Sequence, residues 1–180
     1  PPTQRAGNMI ELTDKPIDIA GVLASVTDPQ CGAEVLFVGT TRQWTQVSAT
    51  IEQQVTTESA AIRESDTEAK IETQAVETSH LVYECYAELA LAELNRLAEQ
   101  ARRRWPVQRV AIVHRLGRVE PLEASVAVAV SCPHRGEAFE AGKWLIDQLK
   151  HTVPIWKQEH YVQSGAEWIH PTTGNCSCPK

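Results

Sequence analysis

The segment Ser131–Glu159 constrains the fold of this chain more than any other, because a helical repeat follows a β-branched run and is cut off by a proline. Phe139, Gly142 and Ile146 recur at spacings of three and four, which predicts one stripe of a helix running to about Thr152. Ser131 and Pro133 suit a helix start, and Pro154 forbids continuation. The same winding brings Arg135 onto the stripe at its first turn and Lys150 at its last. At about 1.5 Å of rise per residue these two are on the order of 22 Å apart along the axis, too far for one small ligand to touch both. If both serve one site, a second copy of the chain supplies one of them.

Around this helix the sequence alternates short strands with helices. Ala33–Val38, Leu81–Tyr86, Val110–Val113 and Val126–Val130 are β-branched or alternating runs that predict strands. Ala87–Arg104 carries Leu91, Leu94, Leu97, Ala98 and Ala101 at helical spacing, and a shorter helix is expected from near Ile17 to Asp28-Pro29. The pattern is α+β, with residues 1–180 forming a single domain. A chain of 180 residues with 42% hydrophobic composition and only two Phe can bury a full core built from aliphatic residues and Trp. No apolar run approaches the ~20 residues of a membrane span and no secretory pattern opens the chain, so a cytoplasmic location is expected.

Charge and cysteine usage narrow the function classes. A net charge of −6 argues against general nucleic-acid binding, which relies on basic surface, so any anion site must be local. Arg102–Arg104 is the densest basic cluster, yet it closes a helix, where cations suit the dipole. The five cysteines at 31, 85, 132, 176 and 178 form no disulfide framework. Cys176 and Cys178 with His170 fall short of the four ligands of a closed metal site, so no metal is assigned and residues 171–180 are expected to be a flexible tail. Residues Thr45–Ser79 hold seven acidic residues against two basic ones, eleven Ser or Thr, and neither Gly nor Pro. That composition predicts a solvated, partly disordered insertion, with an acidic lid or partner-selecting arm as the sharper alternative.

His134 and Arg135 are the residues least easily explained by packing, since a helix start is the wrong end for a cation unless an anion binds there. Lys150, by contrast, sits where the macrodipole alone favours a cation, and Lys157 taken alone reads as an ordinary surface charge.

Four ordered blocks sharpen this reading: FVGTTR at Phe37–Arg42, HRLGRVEP at His114–Pro121, SCPHRGEAFEAG at Ser131–Gly142 and LKHTVPIWKQE at Leu149–Glu159. With their spacing, they resemble the large, catalytic subunit of molybdopterin synthase, over about Ile10 to Trp168 with one insertion. The resemblance implies an α/β-hammerhead fold with a mainly antiparallel sheet and flanking helices. It implies sulfur transfer from the C-terminal thiocarboxylate of a small ubiquitin-like subunit to cyclic pyranopterin monophosphate, by a homodimer within a heterotetramer. Arg42, His134 and Arg135 are then expected to hold phosphate and pterin edges, Phe37 to form a wall, and Lys150 and Lys157 to act at the reacting centre. Glu159 is a candidate to orient a lysine, although an ordinary surface carboxylate explains it as well.

The sulfur arrives on the partner, so no cofactor is required and Cys31, Cys85 and Cys132 are left out of the site. Three departures stand out: the acidic insertion, Leu122 where the family has glycine, which suggests another turn type, and a tail without arginine after Trp168. The alternative is a non-catalytic homologue that binds a phosphorylated small molecule or docks a ubiquitin-like partner.

Overall fold

The computed structural model describes residues 8–49, 72–163 and 166–169. In chain order these form β1 (Met9–Thr13), α1 (Ile19–Ser25), β2 (Ala33–Thr40), β3 (Trp44–Ala49), β4 (Glu72–Cys85), α2 (Ala87–Arg104), β5 (Arg109–Arg115), β6 (Gly117–Val119), β7 (Ala124–Cys132), α3 (Arg135–Thr152), β8 (Ile155–Tyr161) and β9 (Ala166–Ile169). The Ala-Val alternation of β7 explains the central layer. Val126, Val128, Val130 and Cys132 face one side and Ala127 and Ala129 the other, and all are buried because helices cover both faces. The sheet runs β1-β5-β7-β2, with β1 parallel to β5 and the other pairs antiparallel.

On the valine face, α2 and α3 contribute Leu94, Leu97, Leu145, Ile146 and Leu149 to the main core. Each fully buried leucine stabilises the fold by about 1.5–3 kcal/mol. α3 comes close to β2 at Gly142, where an added Cβ would stand 3.2 Å from Val35 Cγ1. The other face is closed by α1, whose Val22 packs with Val26, Ala111 and Ala129, and whose first turn is capped by Asp18 accepting from the Gly21 N–H at 3.0 Å.

The buried stripe of α3 consists of Ala138, Ala141, Gly142, Leu145, Ile146 and Leu149. Phe139, expected on that stripe, lies beside it and is 65% exposed. The helix starts at Arg135 rather than Ser131, because Ser131 and Cys132 are still paired in β7. Arg104 at the end of α2 stacks over Trp144, 4.6 Å from the ring centroid, so the basic end of that helix is partly engaged in packing.

A second sheet runs β3-β4-β8-β9, with β6 also paired to β4. The expected insertion is therefore structured at both ends: Trp44–Ala49 pairs antiparallel with Glu72–Glu77, and only residues 50–71 lie outside the described part. Alternating Thr, Val and Gln residues are compatible with an extended ribbon, which explains how so polar a stretch can form strands. A register irregularity between Thr78 and His80 separates this arm from the half of β4 that pairs with β8. A deletion test of the insertion should accordingly remove 50–71 alone, leaving the paired strands in place. Cys176, Cys178, His170 and the tail at 171–180 lie outside the described residues.

The turn Glu120–Glu123 keeps the geometry expected of a glycine despite Leu122. The Glu123 N–H donates to the Glu120 carbonyl at 3.2 Å, and Leu122 has φ +70°, so Pro121 and Leu122 occupy the corners of a type II turn. The expected change of turn type does not occur, since Pro121 presets the first corner and the Leu122 N–H is pinned to the Thr41 carbonyl at 2.7 Å. The Leu122 side chain is 73% exposed and gains little contact in return for the left-handed backbone. Leu122→Gly is expected to raise stability by about 0.5–1 kcal/mol, the strain relieved being partly offset by the greater freedom of unfolded glycine. Urea unfolding of both chains checks this, and a less stable variant would show that the Leu122 side chain contributes packing.

Candidate active site

Pro154 ends α3 and the chain leaves as β8, where alternation puts Lys157, Glu159 and Tyr161 on one face. Their register partners on β4 include Tyr83, opposite Lys157, and Leu81, opposite Glu159. Glu159 is 4% exposed, and both of its oxygens are engaged. Oε1 accepts from Lys157 Nζ at 2.5 Å and Oε2 accepts from the Tyr161 hydroxyl at 2.6 Å. Glu159 is thus a buried carboxylate held between an ammonium and a phenol, not an ordinary surface charge.

Burial pushes the Glu159 carboxyl up, but the hydrogen bonds from Lys157 and Tyr161 and the charges of Lys157 and Arg42 outweigh it. The net position is below the usual carboxylate range, so Glu159 is ionised at neutral pH. The influence of Arg42 on this carboxylate brings together two of the expected site residues, Arg42 and Lys157, around a group that sequence reasoning left undecided.

The inner wall is made by Tyr83 and His114, whose rings meet edge-on with centroids 5.1 Å apart. His114 is 5% exposed, and its Nδ1–H donates to the Arg115 carbonyl at 2.8 Å. Burial lowers its pKa to about 4, against a smaller upward push from that carbonyl, so the ring is neutral. Phe37 is half-buried in β2 and packs on the main core. Its ring edge lies 3.3 Å from where a Cβ on Gly39 would stand, a position that Val126 Cγ1 already crowds at 2.7 Å, so glycine at 39 lets the Phe37 ring lie against its own strand. Ser125 donates to the Gly39 carbonyl at 3.2 Å and also hydrogen-bonds Tyr83.

Arg42 is exposed, but its root is fixed. The buried Thr41 accepts from the Leu122 N–H and donates its own N–H to the Glu123 carbonyl at 3.0 Å. The Glu123 carboxylate accepts from Arg115 Nη1 at 2.7 Å and from the Glu120 N–H at 3.1 Å. The type II turn therefore acts as the brace from which Arg42 projects.

His134 and Arg135 stand exposed at the opening of α3, where His134 occupies the N-cap position without a side-chain capping bond. Lys150 is exposed in the last turn of the same helix. α3 is unbroken between Arg135 and Lys150, so the spacing of about 22 Å stands and one chain does not bring these two residues together. Lys150 and Lys157 lie on either side of the corner at Val153-Pro154.

The described thiols are not activated. Burial pushes Cys132 up to about 11 and is the first cause of the upward shifts of Cys31 and Cys85. Among the described residues no group of three or more His, Cys, Asp or Glu side chains is arranged to hold a metal ion, and no described helix is long and apolar enough to cross a membrane.

Tyr161, Tyr83 and the brace at Thr41 were not anticipated from the sequence. The alternation Lys157, Glu159, Tyr161 is the signal that would have found the first of these, had the stretch after Pro154 been read as a strand.

Comparison with known proteins identifies the family. A family model described as MoaE protein matches residues 12–152. The molybdopterin synthase catalytic subunit of Halalkalibacterium halodurans is 32% identical over 169 residues, covering 94% of this chain and 90% of the relative. That of Drosophila persimilis is 37% identical over 163 residues, covering 89% of this chain, but the chain spans only 37% of that relative's length. The crystal structure of molybdopterin synthase from Staphylococcus aureus superimposes with a TM-score of 0.70 at 28% identity, covering 89% of this chain and 96% of the other. With four-fifths of its length matched by one family model and the fold shared, this chain belongs to the MoaE protein family.

Proposed function

We propose that this chain is the catalytic subunit of a molybdopterin synthase and acts as a sulfurtransferase in the cytoplasm. It takes sulfur from the C-terminal thiocarboxylate of a small ubiquitin-like subunit and delivers it to cyclic pyranopterin monophosphate, two transfers building the dithiolene. Each transfer forms a bond from sulfur to a substrate carbon as that carbon gives up its bond to oxygen, the oxygen departing as water or with the opened cyclic phosphate. The bond from sulfur to the carrier's acyl carbon is broken by addition of water there, which leaves the carrier as a carboxylate. The relatives named molybdopterin synthase catalytic subunit support this reading.

The observation that carries it is the Lys157 ammonium anchored on the buried Glu159 carboxylate, with Arg42 close enough to act on the same group. A fixed ammonium can stabilise negative charge that develops during acyl and sulfur transfer, and its fixed position avoids reorganisation as the reaction proceeds. Lys150 serves the same reacting centre from the end of α3, as an electrostatic stabiliser, a proton relay or an amine that holds the carrier's acyl end. Arg42, His134 and Arg135 bind phosphate and pterin edges, for which the guanidinium fork is suited, and Phe37 walls the pocket. Because Arg135 and Lys150 are too far apart on one helix, the working unit is a homodimer within a heterotetramer, each site drawing on both chains.

The test is conversion of cyclic pyranopterin monophosphate by the purified chain with a thiocarboxylated small subunit, Lys150→Ala run in parallel. Dithiolene product from the wild type and none from the variant is expected. Tight carrier binding without product from either chain would instead indicate a docking scaffold.

A further inference from the structure

Glu159 has two oxygens, and the reading above gives a task to only one of them. Oε1 orients Lys157, while Oε2 is taken by the Tyr161 hydroxyl at 2.6 Å, two residues along the same strand face. A carboxylate held by one partner can still rotate about its terminal bond, whereas one held at both oxygens has a defined plane. The buried position of Glu159 adds to this, since few solvent molecules can replace a lost donor.

We propose that Tyr161 is a positioning residue for the sulfur-transfer site: its hydroxyl locks the Glu159 carboxylate, and through it sets where the Lys157 ammonium points. This rests on the function proposed above. The charged and titratable groups around Glu159 are Lys157 and Tyr161 on β8, Arg42 after β2 and Tyr83 on β4; Leu81 is its apolar register partner on β4, and Glu167 is its register partner on β9. Of these, Tyr161 is the neutral donor that hydrogen-bonds the carboxylate, so removing its oxygen alters the site without changing its net charge.

Tyr161→Phe deletes only that oxygen. Loss of a hydrogen bond to an ionised group weakens the charged form, so Glu159 should take up its proton about one pH unit higher than in the wild type. The readout is a 13C NMR titration of glutamate side-chain carboxyls, with the Glu159 resonance assigned by its absence in Glu159→Gln. It is run beside the pH profile of turnover with the thiocarboxylated carrier. The expected result is a raised Glu159 midpoint together with an acidic limb of turnover displaced upward by the same amount, and KM nearly unchanged at pH 8. An unmoved midpoint overturns the inference, and so does a moved midpoint with an unmoved turnover profile. If the wild type shows no turnover at all, the functional reading fails on its own account, and the carboxyl titration still decides whether Tyr161 holds Glu159.

Discussion

Arg135→Ala and Lys150→Ala chains, each without turnover alone, are expected to recover activity when assembled into mixed dimers. The expectation follows from α3, an unbroken helix that holds the two residues about 22 Å apart, so no single pocket is reached by both from one chain. In a two-fold dimer with shared sites, a mixed pair has one site with both residues intact and one with neither. Random assembly makes half of the dimers mixed, so about a quarter of the wild-type sites become active. The measurement is turnover of chains unfolded and refolded together in equal amounts, with each variant refolded alone as the reference. No recovery would mean that each chain works alone, and full activity of either single variant would mean that its residue is dispensable.

The second large effect is on stability in acid. His114 is neutral and buried between β5 and Tyr83, with a pKa of about 4 against an ordinary value of 6.5. The unfolded chain binds a proton at His114 more readily than the folded one, so the stability is fully present above about pH 6.5 and is lost as pH falls toward 4. A gap of this size corresponds to about 3 kcal/mol. His80 acts in the same direction: burial first, then the neighbouring Arg118 and the stacked His160, hold its pKa down. His114→Phe keeps the ring contact with Tyr83 and loses the hydrogen bond to Arg115, at a cost of about 1 kcal/mol at pH 7.5. Its unfolding free energy between pH 7.5 and 4.5 should therefore fall by about 2.5 kcal/mol less than that of the wild type, most of the full gap. Parallel urea titrations across this range decide the matter, and equal slopes for the two chains would locate the acid sensitivity elsewhere.

How much of this was legible in advance depended on whether local pattern and tertiary environment agreed. The boundaries of α2, Ala87–Arg104, were readable to the residue because a Leu and Ala stripe ends in arginines. β7 was readable from alternation, although it extends further than Val126–Val130 at both ends. β8 was missed because Trp-Lys-Gln-Glu-His-Tyr offers no apolar alternation, its inward face being an ion pair and a phenol.

The same limitation governed Glu159. Its charge state depends on Lys157 and Tyr161 beside it and on the charge of Arg42 from the loop between β2 and β3, and no local pattern encodes that meeting. Phe139 was placed on the core face because it fits the spacing of Gly142 and Ile146. The helix buries Ala138 and Ala141 instead, small residues that carry little weight in a periodicity argument. The brace at Leu122 and Thr41 was out of reach, since it depends on hydrogen bonds between segments eighty residues apart in the chain.

The irregularity between Thr78 and His80 divides the fourteen-residue β4 into two working lengths. Its outer length, paired with β3, carries whatever is attached at 50–71, and its inner length keeps Tyr83 level with Lys157. In engineering terms this is an expansion joint. A slip of register in the outer length can be absorbed at the joint before it reaches the inner one, so the attachment can be lengthened, shortened or exchanged for a reporter while the frame behind it stays aligned.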